Sequence, residues 1–284
     1  MIQLIACILS STLIFVIFRL AKNYQSHLSA LITYNYLAAS LLGLILFQPF
    51  SGADISANTS WLPFAILNGV LFIGLFFLIG RSSQKAGITV TTLATKLSVV
   101  FPVLFSLIYF NEQINGMKTI ALISAFVAIG LTLYKKELRK TNYIFILLPL
   151  VIFVGSGVVD SIVKLVQEVK ISAGESALYT TFVFIVAFVC GLIIVAFTSK
   201  GKARIHPPTL FLGTLLGVVN FGSLYFMIEA LNKSNLKSSM VFAINNMSIV
   251  SLSAVFGWLL FHEKLNRINF AGIVLALLSL YFLL

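Results

Sequence analysis

Polar residues along this chain fall in short clusters, and the stretches between them are almost unbroken apolar runs. Ten such runs can be marked, at about 2–20, 28–48, 61–80, 88–110, 116–134, 144–165, 173–198, 208–229, 237–261 and 267–284. A helix needs roughly 20 apolar residues to cross the hydrocarbon core of a bilayer, and the runs are of that length. The pattern therefore predicts an all-α membrane protein with ten transmembrane helices. The fifth and tenth runs are joined to their predecessors by the same short text. The first copy reads Phe110-Asn111-Glu112-Gln113-Ile114-Asn115 and the second Phe261-His262-Glu263-Lys264-Leu265-Asn266, with Phe, Glu and Asn at the same spacing. A text repeated at this place predicts a duplication, 1–136 and 143–284, each unit carrying five spans.

An odd number of spans per unit forces the two copies to lie upside down relative to each other. Inverted repeats related by an axis in the membrane plane are a common architecture of secondary transporters. The two units can be aligned further. Phe72, Leu75, Phe76, Phe77 and Ile79 are set against Phe221, Leu224, Tyr225, Phe226 and Ile228, and Phe18-Arg19-Leu20 against Val163-Lys164-Leu165.

Composition sharpens this picture. Apolar residues make up 60% of the chain and charged residues 10%. A soluble domain carries about 25% charged residues, so lipid is the solvent that this surface fits. The net charge of +11 would point to nucleic acid in a soluble protein, but here it has a topological reading. Arg19, Lys22, Arg81, Lys85, Lys135, Lys136, Arg139, Lys140, Lys200, Lys202, Arg204, Lys264 and Arg267 fall on one side of the ten-helix arrangement, against Lys118, Lys170, Lys233 and Lys237 on the other. The positive-inside rule puts the first side in the cytoplasm and both termini outside. The first run has no basic residue before it, which is the wrong flank order for a cleaved signal peptide. Cys7 and Cys190 lie within apolar runs and are read as small apolar fillers.

Few residues carry chemistry. Lys96 lies about 12 Å into its helix at 1.5 Å per residue. A lysine at that depth costs about 2.5–3.5 kcal/mol or more to insert, so it is expected to face a wet cavity or a partner; the alternative is a side chain that snorkels to the interface. Asn245 and Asn246 lie at comparable depth in the repeat-related helix, and serve either a ligand or a helix–helix contact. Asp160 and Lys164, four apart on one face, form an internal ion pair or a coupling and gating pair in which Asp160 takes up a proton. Tyr34, Asn35 and Tyr36 form a polar-aromatic cluster, and Tyr225 and Asn220 lie five apart in the eighth run; they are candidate cavity liners, since tyrosine joins an apolar body to a polar tip, or ordinary interface residues. Glu112 and Glu263 are read as turn residues, with Asn115 and Asn266 capping the helices that follow. Gly213 and Gly217 have the spacing of a packing motif. His27, His206 and His262 are dispersed, and no metal site, catalytic set or phosphate loop is present, so neither an enzyme nor a cofactor is expected.

The run Leu97-Ser98-Val99-Val100-Phe101-Pro102-Val103-Leu104, the acidic turn at Glu112, the helix ending Ala128-Ile129-Gly130-Leu131, and their echoes at Glu263 and Gly272 resemble the drug/metabolite transporter superfamily, EamA type. The second unit departs from the first in having Ser253 where the first has Pro102. The resemblance implies alternating-access transport of a small polar solute, such as an amino acid or an organic anion, without naming it. It also implies cytoplasmic termini, against the charge count, and the charge-based orientation is retained. The expected protein is a gradient- or exchange-driven carrier in a cell membrane, of the bacterial inner-membrane kind. Its partners would be the solute and the bilayer, not nucleic acid, and it would be a monomer or homodimer. A flippase for a lipid-linked head group is the first alternative, and a membrane-embedded enzyme the second.

Overall fold

The computed structural model describes residues 2–48, 59–109, 116–134, 144–171, 176–198, 206–233, 238–263 and 265–282. Glu112, Asn115, Lys237, Lys264 and the basic residues of 135–140 and 199–205 lie outside them. The described residues are helical throughout: α1 (Ile2–Asn23), α2 (Leu28–Phe47), α3 (Leu62–Lys85), α4 (Ile88–Leu97), α5 (Val100–Tyr109), α6 (Gly116–Leu133), α7 (Ile144–Val169), α8 (Ser176–Thr198), α9 (Pro207–Lys233), α10 (Ser238–Phe261) and α11 (Arg267–Phe282). Among them, 9 spans are long and apolar enough to cross a membrane, one of them being α4 and α5 together; α11 is a shorter apolar helix. The chain is thus a multi-pass integral membrane protein.

The fourth predicted helix is not continuous. It breaks between Leu97 and Val100. Pro102 has no N–H to donate, and its ring crowds the carbonyl four residues back, which is that of Ser98. The backbone tightens there, Phe101 N–H donating to Ser98 O at 2.9 Å. Ser253 leaves α10 unbroken at the related position.

Packing is reciprocal between the halves. α1 lies on α9 and α7 on α3; α2 lies on α9 and α8 on α3; α1 meets α10 as α7 meets α4 and α5. The remaining large contacts, α2 with α8, α4 with α10 and α6 with α11, join related helices. Glycines show the register. A Cβ on Gly191 would meet Thr33, and one on Gly43 would meet Thr181. One on Gly69 would meet Val183 and Val186, and one on Gly217 would meet Asn35 and Ala38. All these pairs obey one sequence offset. It differs by one residue from the offset that sets Phe72 against Phe221, and it does not set Arg19 against Lys164. Small residues that let backbones approach outweigh the aromatic similarity read from the sequence, because packing between membrane helices depends on close contact.

The α6–α11 pair is bound most closely. Asn269 Nδ2 donates to the carbonyls of Leu131, Thr132 and Tyr134 at 3.2, 2.8 and 3.0 Å, closing the end of α6. Asn266 caps α11, accepting from the Asn269 N–H at 2.7 Å, as the sequence predicts. Ser279 donates to Ala121 O at 2.7 Å.

Candidate functional site

Polar side chains collect where α1, α4, α7, α9 and α10 converge. Cys7 Sγ donates to Ser223 O at 3.2 Å and to Asn245 Oδ1 at 3.3 Å. Ser11 Oγ donates to Ser223 Oγ at 3.0 Å. Lys96 stands in the last turn of α4, just before the break, half-buried. Its charge acts on both Cys7 of α1 and Asp160 of α7. Ser98, in the break itself, shares its hydroxyl hydrogen between Thr95 O at 2.6 Å and Asp160 Oδ2 at 3.2 Å. The break thus places a hydroxyl within reach of Asp160.

Asp160 lies on the side of α7 turned toward the protein. The exposed apolar stripe of α7, Leu147, Val151, Val154 and Val158, marks its lipid side. At about 100° per residue, Asp160 stands on the opposite side of the helix from Val158. It is deep among protein atoms yet keeps accessible surface. Its carboxylate is turned toward α4, where Ser98 meets it. Lys96 and Asp160 influence each other, but no ion pair closes between them among the described residues. Asp160 reaches across to Ser98 rather than along its own helix to Lys164. Lys164 is half-buried one turn further on and has interactions of its own.

The structure thus brings Lys96, Asp160 and Asn245 into one cluster. Asn246 is half-buried beside it and makes no hydrogen bond among the described residues. The other candidates stand elsewhere. Asn35 is fully buried in the α2–α9 contact, with Asn220 Nδ2 3.2 Å from its amide oxygen; turned over, the same amide reaches Leu216 O at 3.3 Å. Tyr34 lies in that contact too, its Cβ against Gly213. The glycine motif therefore packs within the chain. Tyr225 stacks on Phe221 at 6.1 Å and meets Phe226 edge-on, toward the end of α9 where Glu229 pairs with Lys233.

Sequence reasoning missed Cys7, Ser11, Ser98 and Ser223. Cys7 is no apolar filler, for its thiol bonds to two polar partners. The signal that could have found it is its depth, level with Lys96 and Asn245 across the repeat. Glu263 is not only a turn residue ahead of α11, as its sequence position suggests; its carboxylate holds the start of α4. Ile88 N–H donates to Oε1 at 2.5 Å, and Thr89 N–H and hydroxyl donate to Oε2 at 3.2 and 2.8 Å. Among the described residues, no group of three metal-ligating side chains occurs.

A bundle of apolar spans, reciprocally packed around buried charge, is the build of a carrier. The sequence model of the EamA-like transporter family matches residues 141–284. The chain belongs to that family, part of the drug/metabolite transporter superfamily, and is a membrane transporter of small solutes; family members are transporters, not enzymes. It is similar to an uncharacterized protein of Haemophilus influenzae, 26% identical over 285 residues and covering 98% of this chain and 96% of that one. A crystal structure superposes with a TM-score of 0.59 over 97% of this chain and 94% of its own. At 9% identity that likeness is one of fold alone.

Proposed function

We propose that the chain carries a small polar solute bearing a carboxylate, such as an amino acid or an organic anion, by alternating access. The observation that carries this reading is the pair of opposite charges, Lys96 and Asp160, near enough to act on each other without closing into an ion pair. Lys96 takes the solute carboxylate. Asn245 and Asn246 supply amide contacts, and Ser98 adds a hydroxyl at the helix break. Asp160 balances Lys96 in the empty carrier and receives the ammonium group when the solute is an amino acid. Asp160 and Lys164 are also where coupling to a proton would enter. Transport is driven by a gradient or by exchange. The basic face is the cytoplasmic one, in a bacterial inner membrane.

Counterflow of labelled amino acids and dicarboxylates into proteoliposomes tests the solute class. Lys96→Gln should insert and fold, yet lose about 1–3 kcal/mol of solute affinity, the scale of a lost charge-assisted hydrogen bond. Lys96→Arg should keep the charge and fit poorly, because its fork presents donors in another geometry. Unchanged affinity in the purified Gln variant would remove the carboxylate from the proposal.

A flippase for a lipid-linked head group is the second reading, and one observation favours it. A cleft of about 340 Å³ runs between α5 and α7, walled by Phe101, Leu104, Val158 and Ile162 and almost wholly apolar. It is suited to an acyl chain. Movement of a fluorescent lipid-linked sugar across the bilayer, with no counterflow of free solutes, would select it.

A further inference from the structure

Glu263 makes one of the contacts that cross between the halves. His262 takes a left-handed conformation, φ 50. The chain turns there, and the Glu263 N–H bonds back to Gly257 O at 2.9 Å. The turn delivers the Glu263 carboxylate to the first residues of α4, where it accepts the three hydrogen bonds described above. A helix N-terminus offers free N–H groups and partial positive charge, so a carboxylate is well matched to it. Two glycines make the room. A Cβ on Gly87 would stand 2.6 Å from Glu263 Oε1, and Gly87 has φ 107, which few other residues adopt. A Cβ on Gly257 would stand 2.6 Å from Oε2 and 2.7 Å from Thr89 Oγ1.

The surroundings are on the basic face. Arg19 donates to Ser83 O at 3.0 Å and Gln84 O at 2.6 Å, tying α1 to the end of α3, and lies 5.9 Å above the Phe261 ring. A polar pocket of about 280 Å³ opens beside the carboxylate, bounded by Arg19, Lys85, Tyr134 and His262. Below the carboxylate the picture changes. Thr92, one turn deeper on α4, and Ser253, one turn deeper on α10, have buried hydroxyls without partners. Buried polar groups are nearly always bonded, so two orphans beneath one clamp call for an explanation. Water reaching them in an open conformation would satisfy both.

We propose that Glu263 is the latch that closes the solute pathway on the basic face, positioning α4 and hence Lys96, and that it releases Ile88 and Thr89 when the carrier opens there. This rests on the transport reading above. The latch is one-sided. The repeat-related acid is Glu112, and the sequence there has Ser238 and Ser106 where the Glu263 cradle has Gly87 and Gly257.

The test uses the full chain with Cys7 and Cys190 replaced by alanine, and single reporters Thr92→Cys or Ser253→Cys. A membrane-impermeant maleimide is added from the basic face in oriented vesicles, with no solute present. Glu263→Gln keeps the size but removes the charge; Gly257→Ala keeps the charge but displaces the carboxylate. Each should raise reporter labelling, by about tenfold, as the closed population falls. Thr89→Val, deleting one donor, should act in the same direction and more weakly. The control reporter is Ser279→Cys, buried in the α6–α11 contact. It should stay unlabelled. Equal labelling of Ser279→Cys would make Glu263 a cap that merely holds the fold, and unchanged labelling at Thr92→Cys and Ser253→Cys would remove the latch; either result overturns the proposal. Because accessibility is read without solute, a failed latch and a failed solute assignment at Lys96 are told apart.

Discussion

The α2–α8 crossing and the α4–α5–α10 region are both contacts between repeat-related helices, and they have diverged differently. Across the first, Thr33 faces Gly191 as Thr181 faces Gly43. Across the second, the polar positions differ. The first-half helix is broken by Pro102 and carries Lys96; its counterpart is continuous and carries Asn245 and Asn246. The acid at the centre, Asp160, comes from the second half, where the register of the first has Thr12. Symmetry survives where backbones must approach closely, since any larger side chain would part the helices. It is lost around Lys96 and Asp160, where polar contacts and not close backbone approach decide the side chains.

The largest effect should come from filling the symmetric crossings. Gly217→Val and Gly69→Val each force a side chain into the neighbouring helix. Each should cost about 2–3 kcal/mol, the range of overpacked cores, seen as a loss of folded protein in detergent melts. Near-equal losses would support the equivalence of the two sites. A large difference would show that the reciprocity is only geometric.

Removing the break should have the opposite character. Pro102→Ala restores the missing donor and allows α4 and α5 to join. The variant should melt higher by a few degrees, on the order of 1 kcal/mol, yet transport at least about tenfold more slowly. Slower transport without stabilisation would mean that the break is held by the surrounding packing instead of by the proline.

The two central charges can be separated from stability by a cycle. Lys96→Met and Asp160→Asn singly should each destabilise more than the two together, because a lone charge in this environment loses its counterpart. A coupling of about 1–2 kcal/mol is expected by melting in the absence of solute. Additive losses would show that each charge is compensated by something else. The smallest effect should be at Cys7→Ala, which removes two weak thiol bonds. It should cost about 0.5 kcal/mol or less in stability, and its interest is a change in solute selectivity read by counterflow competition.

Much of the fold was legible in the sequence. Ten apolar runs, the text shared by Phe110–Asn115 and Phe261–Asn266, and the Asn266 cap follow from local pattern, because insertion in lipid and helix capping are decided within one segment. Lys96, Asp160 and Asn245 stood out for a related reason: a polar group in an apolar run is costly wherever the run ends up. What was not legible depends on contact between segments. Asn35 matched the look of a cavity liner and is buried against Asn220. His27 and His206, dispersed along the chain, stand with ring centroids 6.0 Å apart.

The sequence by itself determined that this chain is all-helical and membrane-spanning, and that charged and amide side chains such as Lys96, Asp160, Asn245 and Asn246 lie within its spans. Hydrophobic length, repeated text and the cost of burying charge act locally, and each can be read one helix at a time. Only the tertiary structure decided that Asp160 turns to Ser98 and not to Lys164, that Cys7 joins the polar centre, and that Glu263 closes on α4 across the halves. Those choices are made by which helices touch and in what register. Between membrane helices, that is settled by where a glycine permits close approach, and no single span records which partner will use the space.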